Sequence, residues 1–68
     1  MIQFGKTLRQ LRLENGMSQK QLGEIFNVDQ TTIKDWEIRG REPSYETLYK
    51  LAKFFEVRLE ELLGVEEY

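Results

Sequence analysis

Six consecutive residues in the middle of the chain, Gln30-Thr31-Thr32-Ile33-Lys34-Asp35, concentrate hydrogen-bonding chemistry. Gln30 offers a donor and an acceptor side by side on one amide. Thr31 offers a hydroxyl and a methyl. Lys34 is a three-donor cation and Asp35 an acceptor-only anion. At 100° per residue, Ile33, Trp36 and Glu37 fall on one side of a helix, and Gln30, Thr31, Lys34 and Asp35 fall opposite. Such a segment packs inward through its apolar stripe and keeps a polar face outward. That chemistry suits recognition rather than bond making.

The composition withholds the tools of catalysis. The 68 residues include no Cys and no His, so there is no thiolate, no disulfide and no imidazole base or ligand. Ser44 and many carboxylates are present, but no base accompanies a nucleophile, and there is no Gly-rich phosphate loop. An enzyme is disfavoured, and no cofactor or metal is expected. No apolar run approaches the ~20 residues that span a bilayer. The start, MIQFGKTLRQLR, lacks the apolar stretch of a secretion signal, so the expected address is an intracellular, reducing compartment. One domain, 1–68, is expected, and a chain this short buries only about 60% of its unfolded surface.

The elements that position the polar face are read from the punctuation. Phe4, Leu8 and Leu11 follow a helical stripe, which predicts a first helix over about 2–14, ended by Asn15-Gly16. Ser18 and Gln21 form a Ser-x-x-Gln capping box for a second helix over about 19–26, with Leu22 and Phe26 inward. Asn27 tolerates the left-handed region, so Asn27-Val28 reads as a tight turn. Asp29 is placed as the N-cap of a third helix over about 30–37. Residues 38 to 43 read as a connector. Ser44 caps a fourth helix over about 45–55, with Leu48, Leu51, Ala52 and Phe55 on one face. Val57, Leu59, Leu62 and Leu63 predict a short fifth helix over about 59–63, ended by Gly64. The fold class is therefore all-α, a bundle of five short helices. Its second and third helices, joined by a tight turn, are arranged as a helix-turn-helix.

The residues also carry a resemblance. Leu8-Arg9-x-Leu11-Arg12, Gly16-Met17-Ser18-Gln19, Leu22-Gly23, Val28-Asp29-x-Thr31-Thr32-Ile33, Trp36-Glu37, Pro43-Ser44-x-Glu46-Thr47-Leu48, Leu51-Ala52, Val57-x-Leu59 and Leu62-Leu63 occur in that order. This run closely resembles the phage-repressor (Cro/CI-type, XRE-like) helix-turn-helix DNA-binding family over about residues 4 to 63. No single element is specific, but the ordered set is. Gly23 stands where the family usually has Ala, Asn27 where it often has Gly, and Arg58 where Ser or Thr often caps the fifth helix. Gly weakens a helix by roughly 1 kcal/mol, and Arg58 cannot cap.

The resemblance implies sequence-specific binding of double-stranded DNA, with the third helix in the major groove, by a transcriptional regulator of repressor type. The family positions of Gln30, Thr31 and Asp35 commonly face bases. The residue chemistry agrees: Gln30 matches adenine N6 and N7, Thr31 a thymine methyl, Lys34 guanine O6 and N7, and Asp35 cytosine N4. The family uses the start of the second helix, here Ser18 and Gln19, to grip a phosphate. Lys20, Thr32, Arg39 and Arg41 are further phosphate candidates by position and donor type. Arg12 and Glu37 match a structural salt bridge of the family, and Trp36 reads as core. The dimer surface of the family maps onto Val57, Arg58, Leu59, Glu61 and Leu62, with Val65 and Tyr68 nearby. Phe54 and Ile25 are surplus to the core stripes. A homodimer on a palindromic operator, in the cytoplasm of a bacterium or phage host, is the expectation, with no small-molecule effector in view.

Net charge −2 argues against indiscriminate attraction to DNA. The split is informative: residues 1 to 41 carry seven basic and five acidic side chains, and residues 42 to 68 three and seven. Acidity gathers at Glu56, Glu60, Glu61, Glu66 and Glu67, away from the polar face. Binding should therefore rest on base contacts and dimerisation more than on bulk charge. The competing class is a helical protein-interaction module, of antitoxin or adaptor type, that uses the acidic C-terminal face.

Overall fold

The computed structural model describes residues 3–65. Five helices follow one another: α1 (Phe4–Glu14), α2 (Gln19–Phe26), α3 (Gln30–Ile38), α4 (Tyr45–Phe55) and α5 (Leu59–Leu63). The helix-turn-helix is α2 and α3. Helix α3 also rests on α1, and α5 closes the bundle against α1 and α4. Ile2 and Tyr68, and the acidic Glu66 and Glu67, lie outside the described residues. No helix among those described is long and apolar enough to cross a membrane.

The core is the sum of the predicted stripes. Phe4, Leu8, Leu22, Ile33, Trp36, Leu48, Leu51, Ala52, Phe55 and Leu62 are buried together. Leu11, Met17, Phe26, Val28, Val57 and Leu63 pack around them, half-buried. Leu62 is fully buried, which corrects its expected place on a dimer surface. In a helix of five residues the apolar side chain that faces α1 and α4 has no second face to offer.

Local chemistry explains several helix ends. The Ser18 Oγ accepts from the Gln21 N–H at 3.0 Å, and the Gln21 Oε1 accepts from the Ser18 N–H at 2.8 Å, completing the capping box. The Ser44 Oγ accepts from the Thr47 N–H at 3.3 Å. Asn27 takes the left-handed conformation, φ 57°, as expected of the turn. Two ends differ. Asp29 occupies the N-cap position of α3 with extended backbone, but its side chain makes no capping bond. Glu56, neither Gly nor Asn, ends α4 at φ 57°. Helix α3 also runs one residue past the predicted end, to Ile38, which is 64% exposed.

Two glycines inside helices permit close approaches to another segment's backbone. A Cβ on Gly23 would lie 2.6 Å from the Val28 carbonyl oxygen, so this backbone needs glycine where the α2–α3 turn folds back. A Cβ on Gly5 would lie 2.6 Å from the carbonyl oxygens of both Trp36 and Glu37. The start of α1 is thus pressed directly against the backbone of α3.

Candidate nucleic-acid interface

Helix α3 is fixed from its inner side by a polar cluster rather than by apolar packing alone. Arg12, from α1, grips Glu37 with two parallel bonds, Nε to Oε2 at 2.6 Å and Nη2 to Oε1 at 3.0 Å. Such a fork matches the planar geometries of guanidinium and carboxylate. Gln19, from α2, donates its Nε2 to the same Glu37 Oε1 at 3.2 Å. Arg12 Nη1 donates to the Met17 carbonyl at 2.8 Å, tying in the α1–α2 turn. Both charged side chains are almost entirely withdrawn from solvent, and no buried side-chain polar atom among the described residues lacks a partner. The bond to Glu37 raises the Arg12 guanidinium above its ordinary pKa, against the desolvation that works to lower it. The expected Arg12–Glu37 bridge is therefore present, with Gln19 as an additional member.

The outer side of α3 is uncommitted. Gln30, Thr31 and Lys34 are all exposed, and Lys34 forms no ion pair among the described residues. Thr32 is half-buried, because its direction on the helix lies beside Trp36. Asp35 departs most from expectation. Its residue exposure is only 9%, and its carboxylate lies 3.3 Å from Arg41 Nη1 and 3.6 Å from Arg39 Nε. The chain after α3 folds back over this side chain, so Asp35 does not present a free acceptor outward.

The phosphate candidates divide similarly. Ser18 is exposed; its Oγ accepts from the Gln21 N–H as a cap, which leaves the hydroxyl proton to donate. The Gln19 side chain is turned inward to Glu37 rather than held free at the surface. Lys20 is exposed. Arg39 and Arg41 keep 70% of their side chains exposed while facing Asp35. Around α5, Arg58, Leu59 and Glu61 are exposed and Val57 is half-buried. Ile25 (53%) and Phe54 (41%) are exposed as the stripes imply, although Phe54 stacks edge-on against Phe26 and Phe55. Gly5 was not singled out by sequence reasoning. Its signal was a helix-weakening residue inside an apolar-periodic helix, which calls for a packing reason.

Comparison with known proteins places this geometry. A helix-turn-helix family model matches residues 8–62, from within α1 to within α5. The chain belongs to the helix-turn-helix family. Among curated relatives, the helix-turn-helix transcriptional activator BcrR of Enterococcus faecalis is 39% identical over 66 residues, covering 97% of this chain and 32% of that protein. The cryptic phage CTXphi transcriptional repressor RstR of Vibrio cholerae is 33% identical over 64 residues, covering 94% of this chain and 58% of that protein. This helix-turn-helix chain thus spans about a third to three fifths of the length of those relatives. Among solved structures, a transcriptional regulator from Listeria innocua superposes with a TM-score of 0.90 at 29% identity, over 100% of this chain and 64% of that one.

Proposed function

We propose that this chain binds double-stranded DNA by placing the N-terminal half of α3 in the major groove, and that it regulates transcription by doing so. One observation carries the reading: Gln30, Thr31 and Lys34 stand exposed and uncommitted on a helix whose opposite face is held by Arg12, Glu37 and Gln19. An α-helix fits the major groove, and these side chains supply an amide for adenine, a methyl for thymine and an ammonium for guanine. Lys20, Arg39 and Arg41 flank the same helix as phosphate donors. The regulators among the relatives support a role in transcription, and a repressor that covers an operator is the form proposed.

One such helix reads few base pairs, so two copies on a palindrome, with half-sites about 34 Å apart, are part of the proposal. The pairing surface would involve Arg58, Leu59 and Glu61, with Val57 at its edge, on the side that carries exposed Leu59 (39%) and Val65 (44%). The site of action is the bacterial or phage-host cytoplasm, where the DNA is.

Selection of bound sequences from random duplex DNA tests binding, specificity and half-site symmetry together. A symmetric consensus is expected. Gln30→Ala and Lys34→Ala should then each cost about 1–3 kcal/mol of discrimination at one position per half-site. If neither change weakens binding, α3 is not the reading helix. If no duplex is retained at low salt while a basic protein partner is, the acidic face is the working surface.

A further inference from the structure

We infer that Asp35 is a positioning residue that holds Arg39 and Arg41 as a preformed phosphate clamp beside α3. The inference rests on the DNA-binding reading and adds a role that base or phosphate contact alone does not assign. Asp35 engages the segment after α3 through both its backbone and its side chain. Its carbonyl oxygen accepts from the Arg39 N–H at 3.0 Å and from the Arg41 N–H at 3.4 Å, the chain turning back through Gly40 at φ 74°. Its two carboxylate oxygens face one guanidinium each, Oδ1 toward Arg39 and Oδ2 toward Arg41.

The burial is asymmetric, and this decides the role. The carboxylate is 12% exposed while both arginine side chains are 70% exposed. A covered carboxylate cannot reach a base edge. A guanidinium has five N–H donors, and one turned toward Asp35 leaves the others for a phosphate. The separations, 3.3 and 3.6 Å, exceed those of a tight charge-assisted bond. The arginines are gathered without being consumed. Gathering two long side chains in advance removes ordering that binding would otherwise have to supply. The trio also carries a net positive charge, so Asp35 does not meet the DNA backbone as a bare anion.

The experiment measures affinity of the full chain for a random-sequence duplex of about 30 base pairs as salt rises from about 50 to 200 mM, where each phosphate contact contributes about 0.9 to the log–log slope. Relative to the native chain, Asp35→Asn is expected to lower that slope by up to about 1.8. Arg39→Ala and Arg41→Ala are each expected to lower it by about 0.9 in the native background, and by little in the Asp35→Asn background. Asp35→Glu, which keeps the charge, should restore much of the slope. An unchanged slope, arginine losses that add in full to that of Asp35→Asn, or tighter binding by Asp35→Asn would overturn the proposal; the last result would make Asp35 a simple repulsive charge. A second measurement does not depend on that variant folding. In the native free chain, guanidinium protons of Arg41, which donates to Asp35 at 3.3 Å, should exchange with solvent more slowly than those of exposed Arg58, and equal exchange overturns the clamp. Native protein that ignores the duplex at low salt sinks the DNA reading as well, whereas binding with an unmoved slope sinks only the role of Asp35.

Discussion

Two arginine–carboxylate clusters hang from the same helix, two residues apart, and they are built differently. Glu37 faces inward and receives Arg12 through a bidentate 2.6 and 3.0 Å fork, with Gln19 as a third member and almost no solvent contact. Asp35 faces the edge and receives Arg39 and Arg41 at 3.6 and 3.3 Å, with both arginines mostly in water. The first cluster joins α1, α2 and α3 and belongs to the fold. The second joins α3 only to the segment that follows it. Burial, not residue type, separates a pair that orients a helix from a pair that can exchange partners.

The sharpest way to break this contrast is to remove one buried partner. Glu37→Ala should cost about 3–5 kcal/mol in urea melts, because it strands the Arg12 charge. That is comparable to the whole stability of a domain this size, about 0.05–0.15 kcal/mol per residue, so the variant is expected to be largely unfolded. Replacing both partners, Arg12→Met with Glu37→Leu, should recover most of the loss. The folded pKa of Arg12 is raised, so its contribution is fully present below the ordinary arginine value and fades only as pH rises through the higher one. Melting temperature should therefore not track Arg12 across the neutral range.

Next in size is the seam that the buried cluster closes. Gly5→Ala should cost about 1–3 kcal/mol by thermal melt, since the new methyl meets two α3 carbonyls rather than movable side chains. Ser18→Ala should cost about 1 kcal/mol by loss of the α2 capping box. The smallest effect belongs to the Asp35 cluster, whose arginines lie mostly in water. Asp35→Asn should change stability by less than about 1 kcal/mol, with an equally small coupling to Arg41→Ala in a double-mutant cycle. A coupling above about 2 kcal/mol would erase the distinction between the clusters.

Much of this was legible in the residues, for local reasons. Ser18 and Gln21 announce the start of α2, Asn27 its left-handed end and Gly64 the end of α5, because a cap needs only neighbours a few positions away. The spacings of Phe4, Leu8, Leu22, Ile33, Leu48 and Leu51 placed the core, since periodicity maps directly onto a buried stripe. Outward exposure was legible where a side chain answers only to its own helix, as with Gln30, Thr31 and Lys34. It was not where another segment intervenes. A helical wheel gives the direction of Asp35 but not the chain that folds over it. The same projection puts Gln19 at a helix start and cannot show the distant carboxylate that captures its amide. Gly5 needed knowledge of which backbone lies opposite. The left-handed Glu56 had no compositional sign at all.

The amide of Gln19 and the fork of Arg12 meet on a single carboxylate, so the tilt of α3 is decided before any target arrives. On the proposed reading, the domain meets its target as a finished shape. Encounter then requires alignment of one solid body and little rearrangement within it.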